Sequence, residues 1–306
     1  MASDLEAVLD GADEIRSERI RANGLDFHVR VCGEGDRLAL CLHGFPEIAY
    51  SWRHQMPLLA SLGYRVWAPD LRGYGTTDRP QGIRNYSIET LMEDVAGLID
   101  ASGASETILI AHDWGGIIAW QFAAQRLRKL TRLIILNAPV PRPREHAPSV
   151  FSREFWRFSY VLFFQLPRLP EWVLGRKKAR AIAQVFRGST SAQPERFTDD
   201  VIEVYREAAS RPGALTAMIN YYRALVRGGG MKRLAVLGFP RIETPTLVVW
   251  GERDPILPTE MIDEAASRVE DLTIRLVPNA GHWVQQEAPE AVNAHLREWL
   301  GGAAKS

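Results

Sequence analysis

Short apolar runs recur along this chain between loops rich in glycine and proline, and amphipathic stretches of helical spacing fill the intervals. Phe27-His28-Val29-Arg30-Val31 reads as an early strand, and Leu38-Ala39-Leu40-Cys41-Leu42 as a compact apolar strand that ends at His43-Gly44-Phe45-Pro46. Residues 64–68 supply another strand before the glycine-punctuated loop Pro69-Asp70-Leu71-Arg72-Gly73-Tyr74-Gly75. Ser87 followed by Ile88 and Glu89 starts a helix whose apolar positions include Leu91, Val95, Leu98 and Ile99. Thr107-Ile108-Leu109-Ile110-Ala111 then reads as a buried strand, and helical spacing resumes after Gly116 through Ile117, Ile118, Trp120 and Phe122. This alternation predicts an α/β fold with a mostly parallel central sheet flanked by helices.

The rhythm breaks after the apolar strand Leu133-Ile134-Ile135-Leu136-Asn137, at Pro139-Val140-Pro141-Arg142-Pro143-Arg144. It returns at Pro245-Thr246-Leu247-Val248-Val249-Trp250, continues in a weaker strand over residues 272–277, and closes in a helix containing Val292, Leu296 and Leu300. The intervening stretch is aromatic and helix-rich. The expected organisation is therefore a core formed by residues 1–137 and 236–306, with an inserted helical cap at 138–235. Within that cap, Arg176-Lys177-Lys178 reads as a solvated helical face and Gly228-Gly229-Gly230 as a flexible connection.

Composition narrows the function. The 306 residues are 46% hydrophobic, enough for one sizeable core with an excursion. Lys plus Arg and Asp plus Glu each total 37, so no net field argues for nucleic acid, an anionic membrane or a strongly charged substrate. A small-molecule pocket fits better. Cys32 and Cys41 form neither a disulfide framework nor a metal-ligand cluster, and read as reduced core thiols. The amino terminus lacks a basic-to-apolar signal pattern, and no apolar stretch reaches the roughly 18 residues of a membrane span. The expectation is a cytoplasmic protein, monomeric or homodimeric, with no nucleic-acid or membrane partner.

Three strand ends carry the candidate chemistry. In Leu109-Ile110-Ala111-His112-Asp113-Trp114-Gly115-Gly116, Asp113 falls at a strand-to-helix corner where many hydrolases carry a serine. Asp254 lies on the loop after residues 245–250, and His282 on the loop Pro278-Asn279-Ala280-Gly281-His282-Trp283. Such loops converge at one edge of a sheet despite their sequence separation. A carboxylate at the corner can attack carbon and form an alkyl ester, which a second step hydrolyses with activated water.

Here the chain resembles the α/β-hydrolase fold epoxide hydrolases, over approximately residues 20 to 300, with local matches at His43-Gly44-Phe45-Pro46, the Asp113 elbow, the Asp254 loop and the His282 loop. Ala111 stands where a glycine is common in hydrolase elbows, while Asp113 and the glycines after it suit the turn. The resemblance implies an α/β-hydrolase fold with an inserted helical cap and conversion of epoxides to vicinal diols. Tyr160-Val161-Leu162-Phe163-Phe164-Gln165 and Asn220-Tyr221-Tyr222-Arg223 are similar to the cap segments that carry two ring-opening tyrosines, which puts the phenols on Tyr160 and Tyr222, with Tyr221 as the alternative register. The resemblance further implies Asp113 as nucleophile, His282 oriented by Asp254 as the base for water, and the backbone N–H groups of Phe45 and Trp114 as oxyanion donors.

A haloalkane dehalogenase shares an aspartate nucleophile and is the first alternative. Trp114 suits its halide site, but Phe45 occupies the position where a polar halide-binding residue is common, and a departing halide needs no phenolic proton. A non-catalytic small-molecule-binding homologue is the second. His43 and His112 stand outside the expected proton-transfer set. Trp52, Phe155, Trp156, Phe164 and Trp283 are candidates for an apolar pocket or for plain packing. No metal-ligand constellation or nucleotide cradle stands out, and the expected chemistry requires no cofactor beyond water as reactant.

Overall fold

The computed structural model describes residues 15–141, 157–188 and 190–302. Its centre is an eight-stranded sheet: β1 (Ile15–Ala22), β2 (Leu25–Cys32), β3 (Arg37–Leu42), β4 (Arg65–Pro69), β5 (Glu106–His112), β6 (Arg132–Leu136), β7 (Thr246–Gly251) and β8 (Leu272–Val277). The spatial order is β1-β2-β4-β3-β5-β6-β7-β8. Pairing is antiparallel from β1 to β2 and from β2 to β4, and parallel across the rest.

The apolar runs are strands buried on both faces, as parallel sheets require. Because side chains alternate, each run feeds two cores. Leu109 and Ala111 of β5, with Leu133 and Ile135 of β6, enter one core, while Ile108, Ile110, Ile134 and Leu136 enter the other. The first strand, IRSERIRA, was not anticipated. It is an edge strand whose polar positions face water, so it lacks the continuous apolar run that marked its neighbours.

Helices cover both faces: α1 (Met56–Ser61), α2 (Ile88–Ser102), α3 (Asp113–Ala124), α9 (Asp263–Arg268), α10 (Val284–Glu287) and α11 (Pro289–Gly301). As expected, Ser87 caps α2, accepting a hydrogen bond from the Thr90 N–H. Between β6 and β7 the chain leaves the sheet and forms the helical insertion: α4 (Ser159–Phe163), α5 (Leu169–Arg187), α6 (Asp199–Ser210), α7 (Ala214–Val226) and α8 (Gly230–Leu237). Two local expectations need correction here. Lys177 and Lys178 are exposed but sit at positive φ in a break inside α5, so they present no regular helical face. Gly228-Gly229-Gly230 is no loose connection either, because Gly229 is the left-handed N-cap of α8 and Gly230 its first residue.

Among the described residues no helix is long and apolar enough to cross a membrane, and no group of three or more His, Cys, Asp or Glu could hold a metal ion. Cys32 and Cys41 are both buried and are not joined in a disulfide.

The corner between β5 and α3 is a point of close backbone approach. Asp113 has φ 48°, in the left-handed region that a non-glycine residue rarely adopts. A Cβ on Gly115 would strike the carbonyls of Leu42 and His43 at the end of β3. Gly115→Ala should therefore destabilise the protein by about 1–3 kcal/mol, the usual cost of overpacking, read as a lower midpoint in urea unfolding. An unchanged midpoint would show that the corner yields freely.

Candidate active site

The parallel strands deliver their C-terminal ends to one edge of the sheet, and the loops there bring Asp113, Asp254 and His282 together. Asp113 follows β5, Asp254 follows β7 and His282 follows β8. His282 Nδ1 meets Asp254 Oδ2 at 2.7 Å, and His282 Nε2 lies 3.6 Å from Asp113 Oδ2. The first contact is a short charge-assisted hydrogen bond; the second is a charge contact with room to lengthen or close.

Asp254 is saturated with donors. Its Oδ1 accepts from the Ile256 and Leu257 N–H groups at 2.8 and 2.9 Å, while Oδ2 takes Asn137 Nδ2 at 2.7 Å besides His282. Asn137, at the end of β6, thus orients the carboxylate that orients the imidazole. Its own Oδ1 accepts the Gly251 N–H at 2.9 Å, which locks it to β7.

The other face of His282 is held by groups that sequence reasoning did not single out. Glu287 is fully buried, and accepts from the Gly281 N–H at 2.9 Å and the Trp283 N–H at 3.1 Å, on either side of the histidine. Glu47, just after His43-Gly44-Phe45-Pro46, is also fully buried and meets His112 Nδ1 at 2.8 Å, the Gly44 N–H at 3.1 Å and the side-chain amides of Gln285 and Gln286 at 2.8 and 2.7 Å. Burial pushes the Glu47 carboxyl up, but His112 and the Gly44 N–H outweigh it and keep it below its usual range. His112 Nε2 donates to the His282 carbonyl at 2.8 Å. The only sequence signal for this network was an acid placed among apolar neighbours. His43 Nε2 accepts the Leu71 N–H at 3.0 Å, a structural role.

The Phe45 N–H donates to Asp113 Oδ1 at 2.8 Å. Trp114 is the second residue of the helix that Asp113 opens, and its indole packs edge-on against the Tyr222 ring, centroids 5.0 Å apart. Asp113, Trp114, Tyr160 and Tyr222 all line one cavity of about 310 Å³, with Val140 and Ile256 among its apolar walls. The Tyr160 and Tyr222 rings lie 5.7 Å apart and edge-to-face.

Tyr221 points elsewhere. Its hydroxyl donates to the Arg72 carbonyl at 2.9 Å, so of the two adjacent tyrosines Tyr222 is the one on the Asp113 cavity. Of the candidate pocket aromatics, Trp52 and Trp283 are core residues, Phe164 packs on Phe45 and Tyr222, and Phe155 and Trp156 lie outside the described residues.

The charges are coupled. Burial opposes the His282 charge, but the carboxylates of Asp254 and Asp113 overcome it and push the imidazole up to about 10. Burial likewise pushes Asp113 up, and His282, His112 and the Phe45 N–H reverse that, leaving it below its ordinary value. Tyr160 and Tyr222 are both raised, first by burial and then by neighbouring negative or ionisable groups that include Asp113, so both stay neutral phenols at neutral pH.

Comparison with known proteins agrees with this architecture. A family model described as alpha/beta hydrolase fold matches residues 40–289. The AB hydrolase superfamily protein YfhM of Bacillus subtilis (strain 168) is 36% identical over 290 residues, covering 94% of this chain and 99% of that protein. Epoxide hydrolase 4 of Mus musculus is 36% identical over 294 residues, covering 92% of this chain and 78% of its own length. The solved structure of epoxide hydrolase VrEH1 from Vigna radiata matches with a TM-score of 0.81 at 30% identity, over 95% of this chain and 99% of that one.

The coupling has a pH signature. With a folded pKa about 10 against an ordinary value of 6.5, protonated His282 contributes stability that is complete below pH 6.5 and lost as pH rises through about 10. Asp113→Asn removes one of the two anions, so the His282 midpoint, followed by NMR of labelled histidine, should move down. A midpoint that stays in place would refute the coupling.

Proposed function

We propose that this chain, which belongs to the alpha/beta hydrolase fold family, is an epoxide hydrolase that opens its substrate covalently on Asp113. The observation that carries the reading is that two neutral phenols, Tyr160 and Tyr222, line the same cavity as a carboxylate that stands where acyl hydrolases place a serine. The names of its relatives point the same way. Residues 138–235 are, on this reading, the cap that carries the phenols over the 1–137 and 236–306 core.

In the first step Asp113 Oδ2 attacks an epoxide carbon from the side opposite the breaking carbon-oxygen bond. Negative charge moves from the carboxylate to the epoxide oxygen, and Tyr160 and Tyr222 strengthen their hydrogen bonds as it grows. One phenol delivers its proton to the oxygen. The product is a hydroxyalkyl ester on Asp113, with Oδ1 still on the Phe45 N–H.

Forming the ester removes the Asp113 charge that helped hold His282 protonated. The imidazole pKa falls, and its proton makes good the one given by the phenol. His282 is then a neutral base, kept in the needed orientation by Asp254, and takes a proton from water as that water attacks the ester carbonyl carbon. The oxyanion develops on Oδ1, facing the Phe45 N–H with the Trp114 N–H beside it. Collapse of the adduct releases the diol and restores both the Asp113 carboxylate and the His282 imidazolium.

A haloalkane dehalogenase would use the same Asp113, Asp254 and His282, but a halide needs free donors. Phe45 has no polar side chain to offer, and Tyr160 and Tyr222 bring to the Asp113 cavity phenolic protons that a halide would not need, which favours the epoxide. The test is time-resolved diol formation from aromatic and aliphatic epoxides by chiral chromatography. Mass-verified Asp113→Asn should form no diol. Tyr160→Phe with Tyr222→Phe should slow ester formation by about 10²-fold or more, on the scale of losing donors to a developing oxyanion. Halide release from haloalkanes in preference to epoxide turnover, or full activity in Asp113→Asn, would overturn the proposal.

A further inference from the structure

The two phenols come from separate elements, and something must hold them at a working separation. Tyr160 is on α4, only five residues long and too short to be stable alone. Tyr222 is on α7, in the buried centre of the insertion. The carbonyls just past the end of α4 have no intrahelical donors, so their partners decide where that helix sits.

Those partners are on Arg223, the residue after Tyr222. Its Nε donates to the Phe164 carbonyl at 2.9 Å and its Nη2 to the Leu166 carbonyl at 2.7 Å. Glu171, in the first turn of α5, holds the same guanidinium from the other side, at 2.6 Å to Nη1 and 3.1 Å to Nη2. The Arg223 side chain is 6% exposed and that of Glu171 19%. Gln165 adds a weaker tie, its amide reaching the Val161 carbonyl at 2.9 Å and the Tyr222 carbonyl at 3.4 Å.

We infer that Arg223, with Glu171 as its counter-ion, is a positioning residue that sets the separation of the Tyr160 and Tyr222 hydroxyls. This rests on the ring-opening reading of those phenols. A planar guanidinium fork holds direction as well as distance, which a lysine ammonium does not. A buried ion pair is a poor source of net stability compared with apolar packing, so its main consequence is geometric. The Asp254 and His282 pair lies on the core loops, out of reach of this clamp. Loss of the clamp should therefore slow the first step, which uses the phenols, and spare the second, which does not.

The experiment is single-turnover kinetics on the whole protein with an epoxide that the wild type hydrolyses, styrene oxide first, resolving ester formation from ester hydrolysis. Arg223→Met should slow ester formation by about 10- to 100-fold, the scale of a small misplacement of reacting groups, and leave ester hydrolysis unchanged. Arg223→Lys should recover part of the loss, and Glu171→Gln should fall between Arg223→Lys and wild type. Equal slowing of both steps, or undiminished ester formation in a folded Arg223→Met, would overturn the positioning role. If Arg223→Met fails to fold, undiminished ester formation in Glu171→Gln does the same. A wild type that makes no diol from any epoxide would instead remove the ring-opening reading itself.

Discussion

The site depends on one buried cation held between two carboxylates. His282 meets Asp254 at 2.7 Å and Asp113 at 3.6 Å, in a place where none of the three would be tolerated as a lone charge. Each anion stabilises the imidazolium, and the imidazolium keeps Asp113 ionised despite burial. The arrangement requires the ends of β5, β7 and β8 to lie along one edge of the sheet, and so explains why the sheet must be parallel there. Asn137 and Glu287 then fix Asp254 and the His282 loop with hydrogen bonds from outside the charge cluster.

The unequal distances matter chemically. Asp254 is locked by four donors and serves as a fixed counter-charge, whereas Asp113, which lines the cavity, has one oxygen on the Phe45 N–H and the other only in a longer 3.6 Å contact with His282. A carboxylate restrained at one oxygen and open at the other suits attack on carbon. On the proposed route the same coupling offers a reason why the histidine need not be a base from the start: it becomes one when esterification cancels the Asp113 charge. The cap contributes the complementary group, phenols kept neutral by burial.

Much of this was legible in the sequence because it is written in short-range patterns. Apolar runs such as 38–42 and 107–111 marked doubly buried strands, and Asp113 and Asp254 each followed such a run, while His282 followed the weaker edge strand at 272–277. The charged edge strand Ile15–Ala22 carried no such run, and only its ladder with β2 reveals it. Asn137 and Arg223 went unassigned for a different reason: their side-chain partners are far away in sequence, so no local pattern marks their role. The choice between Tyr221 and Tyr222 was of the same kind, since it turns on where α7 faces, and the Arg72 carbonyl that takes the Tyr221 hydroxyl lies 149 residues away. The glycines at 228–230 read as slack, although two of them shape a helix start.

The central claim is that water attacks an ester on Asp113 and never the epoxide directly. A single turnover in heavy-oxygen water, with enzyme in excess over epoxide, separates the two routes by mass spectrometry. The covalent route predicts that the heavy atom appears in the Asp113 carboxylate, in the peptide containing that residue, while the first diol released carries none. Heavy oxygen in that first diol, with an unlabelled Asp113 peptide, would contradict it and make Asp113 a base for water instead of a nucleophile.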